Sequence, residues 1–174
     1  MLRLLLVCLL VMASCRPRRD LSQYTQEDPK SQLTSNVSMA NAKHEAQLKS
    51  GFHQLEEGGW RWVAGKFVVE LRAPFASPKL GAVLTLNGNL PEILFARMGP
   101  VALTAKLNNT ILPTQAYKVA GEVVYKVDVP PQALAAEQIL VEFSTDKPLA
   151  PNTFPNDGRE LALIVSSISL ETRK

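Results

Sequence analysis

From Gly51 onward, apolar residues recur at every second position, and Gly, Pro and Asn break the alternation at intervals. A period of two places successive apolar side chains on one face, which is the signature of strands with one dry and one wet side. Val101, Leu103, Ala105 and Leu107 form one such series, and Asn108-Asn109 follows where a hairpin would turn, because asparagine tolerates positive φ. The next strand begins near Thr110 and carries Ile111; Pro113 marks an edge or a bulge because it cannot donate to a ladder. Val123, Tyr125, Val127 and Val129 alternate up to Pro130-Pro131, and Ile139, Val141 and Phe143 repeat the pattern before Lys147-Pro148. Residues 66–72 and 81–86 predict two further strands, with Asn87-Gly88 as the turn after the second.

The last strand, 160–170, is apolar at Leu161, Leu163 and Val165 and then at Ile168 and Leu170. Its change of parity around Ser166-Ser167 means either a β-bulge or burial on both faces. Only residues 132–137 offer a helical turn. Seven or eight short strands over about 120 residues predict an all-β fold, an antiparallel β-sandwich spanning 51–174. About 25 inward side chains at roughly 1.5–3 kcal/mol each match the entropy cost of ordering such a chain, so the fold needs no disulfide, metal or other cofactor.

Residues 16–50 read differently. They are Ser, Thr, Asn, Gln and charge, with Tyr24 the sole aromatic, and such a composition buries too little to offset its ordering entropy. The segment 15–50 is therefore expected to be a flexible tether; about 35 residues of it would span roughly 30–35 Å. Within it, 38–49 has the makings of a short helix with Ser38 as cap, marginal on its own. His44 lies there and is assigned no role.

Residues 4–14 form an uncharged run of about eleven, too short for the roughly 17–25 residues of a membrane-spanning helix. Arg3, the apolar stretch behind it and the small pair Ala13-Ser14 instead predict a secretory signal over 1–14. Met12-Ala13-Ser14-Cys15 resembles the lipobox of bacterial lipoproteins, although leucine is usual where Met12 stands. The resemblance implies diacylglyceryl transfer to the Cys15 thiol and anchoring of the exported protein to a membrane of a bacterial envelope, on its periplasmic or outer-surface face. Ordinary secretion with Cys15 left as a free thiol is the alternative; an exposed thiol is a liability in an oxidising compartment, which favours the lipid. Cys8 leaves with the signal, so the mature chain cannot form an internal disulfide.

Of 19 basic and 16 acidic residues, Arg3 is lost with the signal, which leaves a mature charge of about +2. Arg16, Arg18 and Arg19 hold much of the positive charge beside Cys15, where each would gain about 1 kcal/mol against anionic headgroups. The remainder is balanced and has no basic stripe, so nucleic acid is not an expected partner.

Two stretches carry a second resemblance. "GFHQLEEGGWRWVAGKFVVEL" (51–71) and "NDGRELALIVSSISL" (156–170) look like the first and last strands of a bacterial β-sandwich module found in uncharacterised secreted proteins and fused to envelope glycosyltransferases. Gly51 and Glu56 fit its lead, Arg61-Trp62 its aromatic pair, Asp157, Arg159 and Leu161 its acidic-Arg segment, and Ile168 with Leu170 its end; Ala162 replaces a customary glycine. The resemblance implies a jelly-roll-like fold and an envelope setting rather than a chemistry.

Trp60 and Trp62 are two apart, so on a strand they share a face and could stack a sugar ring; alternatively Trp62 is core and Trp60 a half-buried flank. Asp157, Arg159 and Glu160 crowd one turn. An oxygen-rich turn can hold Ca²⁺, but the arginine favours a structural bridge to Glu56 or Glu70. No nucleophile–histidine pair is evident: His53 is placed before the first strand, and no Gly-x-Ser-x-Gly, His-Glu-x-x-His or phosphate loop occurs. Glu70, Glu92, Asp128 and Glu142 read as wet-face residues rather than a glycosidase pair. The sequence thus predicts a non-catalytic binding module with a glycan as ligand and Trp60, Trp62 and Arg159 as its residues. The alternative is an adaptor lipoprotein that docks onto another envelope protein.

Overall fold

A computed structural model describes residues 33–174 as ten antiparallel strands with short helical connections. The strands are β1 (Asn36–Ser38), β2 (Leu48–Leu55), β3 (Arg61–Arg72), β4 (Ala82–Leu90), β5 (Val101–Leu107), β6 (Thr110–Ile111), β7 (Gln115–Tyr117), β8 (Gly121–Val129), β9 (Gln138–Thr145) and β10 (Leu163–Thr172). Helices α1 (Ser77–Leu80) and α2 (Glu92–Met98) follow β3 and β4, and 3₁₀ turns occupy Ala42–Gln47 and Pro131–Leu134. Residues 1–32, and with them the expected signal and Cys15, lie outside the described residues.

One layer runs β2-β3-β9-β5, with β6 and β7 at its far edge. The other runs β10-β4-β8, with β1 on the free side of β10. β3 belongs to both: Lys66–Arg72 pair with Ser144–Gln138 of β9, while Arg61–Val63 pair with Val165–Leu163 of β10. From β3 through β4, β5, β8 and β9 to β10 the chain passes from one layer to the other at each connection, which is the wrapping of a jelly roll. The expected β-sandwich is the observed class.

Alternation explains the layers. In β3 every odd position from Arg61 to Leu71 is buried, and the even ones from Trp62 face outward. Phe67 stacks on Phe143 of β9 with ring centres 5.0 Å apart, and Tyr125 of β8 meets Phe143 edge-on from the opposite layer at 6.0 Å. The Tyr125 hydroxyl donates to Pro113 O (2.8 Å) and accepts from Ala105 N (3.3 Å), so this one polar atom inside the core is satisfied.

Several expectations need correction. The ordered module starts before Gly51: Val37 and Met39 of the 15–50 segment are buried, and β1 pairs with β10. Gln47 is buried too, its side-chain amide donating to Thr34 O (3.0 Å) and Glu70 O (2.7 Å) and accepting from Thr34 N (3.2 Å). A glutamine that substitutes for a strand's backbone leaves no apolar period, so composition misses it. The 38–49 helix is instead a strand end and a 3₁₀ turn capped by Asn41, whose side chain accepts from Lys43 N. His53 lies within β2, not before the first strand.

Asn87-Gly88 is not a turn either. β4 continues through it to Leu90, because Leu84, Leu86 and Leu90 keep the inward parity. The glycine serves another purpose: β10 bulges between Val165 and Ser167, and a Cβ at position 88 would lie 2.1 Å from Ile164 O. The parity change in β10 is therefore a bulge. α1 and α2 were not foreseen, since one and two turns are too short to show a helical period.

Candidate functional site

The β2–β3 hairpin turns at Glu56–Gly59, closed by Gly59 N donating to Glu56 O and Glu56 N donating to Trp60 O, both 2.9 Å. Gly59 has φ +77°, a conformation open to glycine, and Gly58 leaves room for the Trp60 indole: a Cβ there would sit 2.3 Å from its Nε1. Trp60 is half-buried on this turn, just ahead of β3. Trp62 is half-buried on the outer face of β3, opposite Ile164 and packed against the core.

The two indoles touch edge to face, ring centres 5.7 Å apart and planes at 85°. The expected shared face is thus a contact rather than a coplanar platform: a flat ligand can lie on one ring at a time.

Arg159 comes to this hairpin from the segment before β10. Its Nε and Nη2 donate to the two oxygens of Asp157, each at 2.9 Å, and its Nη1 donates to Glu56 Oε1 at 3.1 Å. Of the two bridges expected, the structure forms the one to Glu56; Glu70 is paired with Lys49 at 2.8 Å. The side-chain and backbone hydrogen bonds from Arg159 hold the Asp157 carboxyl down at about 2, from an ordinary 3.8. Hydrogen bonding to Asp157 raises Arg159 further above its already high range, against the opposing effect of burial. Both Asp157 oxygens accept hydrogen bonds from the guanidinium, the structural bridge that an arginine in this turn favours.

Of the five N–H bonds of the guanidinium, three are used within the cluster. Two have no acceptor among the described residues, on a group whose plane is fixed. The site therefore combines an indole face with a rigid cationic donor and the partly exposed Glu56 carboxylate, a set that suits a neutral ligand rich in hydroxyls.

Arg61, expected only as half of an aromatic pair, is the buried charge beneath this hairpin. Its Nη1 donates to His53 O (2.9 Å), its Nη2 pairs with Glu45, and its Nε has no partner among the described residues. The His53 Nε2–H in turn donates to Glu160 O (2.7 Å), so this histidine joins β2 to the β10 approach rather than meeting a nucleophile.

Sequence reasoning passed over Phe75, which stands fully exposed (102 %) between β3 and α1. The available signal was an aromatic residue bracketed by Pro74 and Pro78, where no strand period exists to bury it.

No family model matches this chain, and no curated protein does. Among solved structures, a glycoside hydrolase family 115 4-O-methyl-α-glucuronidase with specificity for decorated arabinogalactans aligns over 80 % of this chain at 10 % identity and TM-score 0.48, the chain spanning 17 % of that enzyme. The mannan-recognising carbohydrate-binding module TmCBM27 aligns over 82 % of this chain and 98 % of its own length, at 13 % identity and TM-score 0.47. The CBM36-1 domain of a multidomain xylanase from the hindgut metagenome of Trinervitermes trinervoides aligns over 80 % and 97 %, at 11 % identity and TM-score 0.46. The strand pairing by itself makes the fold an antiparallel β-sandwich.

Proposed function

We propose that this protein is a lipid-anchored binding module of a bacterial envelope whose ligand is a glycan, held at the β2–β3 hairpin by Trp60, Trp62 and Arg159. The observation that carries this reading is the coupling of an indole pair to a fixed guanidinium through Glu56, which joins the Trp60 hairpin to the Arg159 segment. A pyranose presents apolar C–H groups on its faces and hydroxyls around its rim, so it needs both an aromatic surface and planar hydrogen-bonding groups. Asp157 is consumed in holding Arg159, which suits recognition better than proton transfer.

The test is binding of the full chain to a panel of envelope and exogenous polysaccharides, with Trp60→Ala and Arg159→Ala as variants. Saturable binding lost in variants that melt normally supports the reading. Binding to no glycan overturns it and leaves the adaptor role, for which crosslinking in intact cells is the next measurement. The anchor is tested by Cys15→Ser and cell fractionation: mature protein still in the membrane fraction would sink it.

A further inference from the structure

Strand β8 ends its layer on an open edge. It pairs with β4 on one side, and no strand of the described residues pairs with the other. The register settles which backbone groups point outward, because directly opposed residues of antiparallel strands turn their N–H and C=O groups either both toward each other or both away. Leu170 N donates to Ser35 O at 2.7 Å, away from β4. Leu84, opposite Leu170, therefore turns to β8, and Val127, opposite Leu84, turns back to β4. The intervening residues Glu122, Val124, Lys126 and Asp128 aim their N–H and C=O groups outward, and all are exposed. Of these groups only Lys126 O has a hydrogen-bond partner among the described residues, Gln115 Nε2 at 2.9 Å, and a carbonyl can accept a second bond.

The charges of this edge are unmatched inside the chain. Glu122 and Lys126 form no ion pair among the described residues, and their β4 neighbours are the uncharged Asn89 and Thr85. They lie about 13 Å apart along the strand, too far to meet each other. Charges on an edge ordinarily ward off other strands. The order of charge along β8 makes one exception to that rule, which is β8 itself.

A second β8 laid antiparallel about a two-fold axis at Val124 sets Val124 against its own copy and Glu122 of each chain against Lys126 of the other. The outward groups then form about six backbone hydrogen bonds. Neighbouring registers lack this match. An axis at Tyr125 opposes Glu122 to Asp128, an axis at Lys126 opposes two lysines, and an axis at Val123 leaves both charges without an opposite. Val124 is 39 % exposed, so the centre of the matched register is apolar and its flanks are ionic.

We infer that the free edge of β8 is a self-association surface whose partner is a second copy of this chain, joined in the Val124-centred antiparallel register. The β1-β10-β4-β8 layers of the two copies become one continuous sheet. Trp62 lies opposite Ile164, Ile164 opposite Asn89 and Asn89 opposite Glu122, so Trp62 shares the outer face of that sheet. The pair thus presents two Trp62 side chains on one face, which offers a polymeric ligand two points of attachment. Only this last consequence depends on the proposed glycan reading; the association itself is tested without ligand.

The experiment uses the chain from residue 16 onward, which keeps every described residue and has no cysteine. Sedimentation equilibrium is expected to show a monomer–dimer equilibrium that weakens with salt. Lys126→Glu and Glu122→Lys are each expected to weaken it several-fold, since each creates two like-charge pairs. An equimolar mixture of the two variants is expected to restore dimer, because every pair in the mixed dimer is again opposite in sign, and the double reversal is expected to match the wild type. A chain that stays monomeric up to about 1 mM overturns the inference. A dimer that both reversals leave unchanged overturns it as well, because another surface then joins the copies.

Crosslinking decides the register independently of charge. Opposed residues of a hydrogen-bonded pair have Cα atoms about 5.5 Å apart, within reach of a disulfide. Val124→Cys is expected to form a covalent dimer on mild oxidation, whereas Thr85→Cys, one strand inside the edge, is not. Equal crosslinking of the two, or none at Val124, counts against the β8 pairing.

Discussion

Glu160 Oε1 lies 2.6 Å from the backbone nitrogen of Gly65 and accepts its hydrogen bond at the point where β3 leaves β10 and takes up β9. A strand shared by two layers has a backbone N–H facing neither partner at the crossing, and here a side chain supplies the missing acceptor. The residue must be glycine because a Cβ would approach Pro148 Cγ to 2.6 Å and Glu160 Oε1 to 3.0 Å. Glu160→Ala is expected to destabilise the fold by about 1–3 kcal/mol, the cost of an unsatisfied buried donor. Gly65→Ala is expected to be at least as damaging, and urea unfolding of the two variants checks both.

Tyr125→Phe removes a hydroxyl that bonds Pro113 O and Ala105 N inside the core while leaving the ring contact with Phe143. The expected loss is again about 1–3 kcal/mol in urea unfolding, with the β5–β7 region opening first in hydrogen exchange. A loss below a few tenths would mean that the backbone groups find other partners.

Acid is expected to release the Arg159 segment. Asp157 titrates at about 2 in the fold against 3.8 ordinarily, chiefly through its hydrogen bonds from Arg159. Its contribution is therefore fully present above pH 3.8 and is lost as pH falls through about 2. Thermal melts of the wild type and Asp157→Asn across this window are expected to converge at low pH. Parallel curves would show that the depressed carboxyl is not Asp157.

Alkali acts on the tyrosines with the opposite sign. Burial, helped by the charge of Tyr125, pushes Tyr117 up to about 12 from 10.0, and burial raises Tyr125 as well. The stabilisation they carry is complete below pH 10 and is lost as pH rises toward 12. Near-ultraviolet absorbance titration of Tyr117→Phe is expected to lack a late step present in the wild type.

The two tryptophans are expected to separate by stability and to agree in binding. Trp62→Ala removes packing against the core and is expected to cost about 1–3 kcal/mol, whereas Trp60→Ala, on the turn, costs less than about 1 kcal/mol. Both are expected to weaken glycan binding, measured by calorimetry on protein verified to be folded.

Much of this was legible beforehand where local chemistry and period agreed. The Val123–Val129 alternation became β8, and Asn108 turns the β5–β6 hairpin at φ +48° as an asparagine can. The shift at Ser166-Ser167 became a bulge. Within the candidate site, the Arg159–Glu56 bridge was one of two readings, because opposite charges far apart in sequence name a pair only when the topology brings their ends together. Gln47 and Phe75 were not legible for a shared reason: one is a polar residue inside, the other an apolar residue outside, and both run against the average that periodicity measures.

By itself the sequence determined which positions face a core, because alternating side chains can be buried only on a pleated strand, and hence that the chain forms an antiparallel sandwich. Tertiary structure alone decided that β3 serves both layers, that the indoles of Trp60 and Trp62 meet edge to face, and that Arg159 meets Glu56 of the β2–β3 hairpin. Those relationships depend on which strands become neighbours. That choice is made by the packing of whole layers, through contacts such as Tyr125 with Phe143, and no local period encodes it.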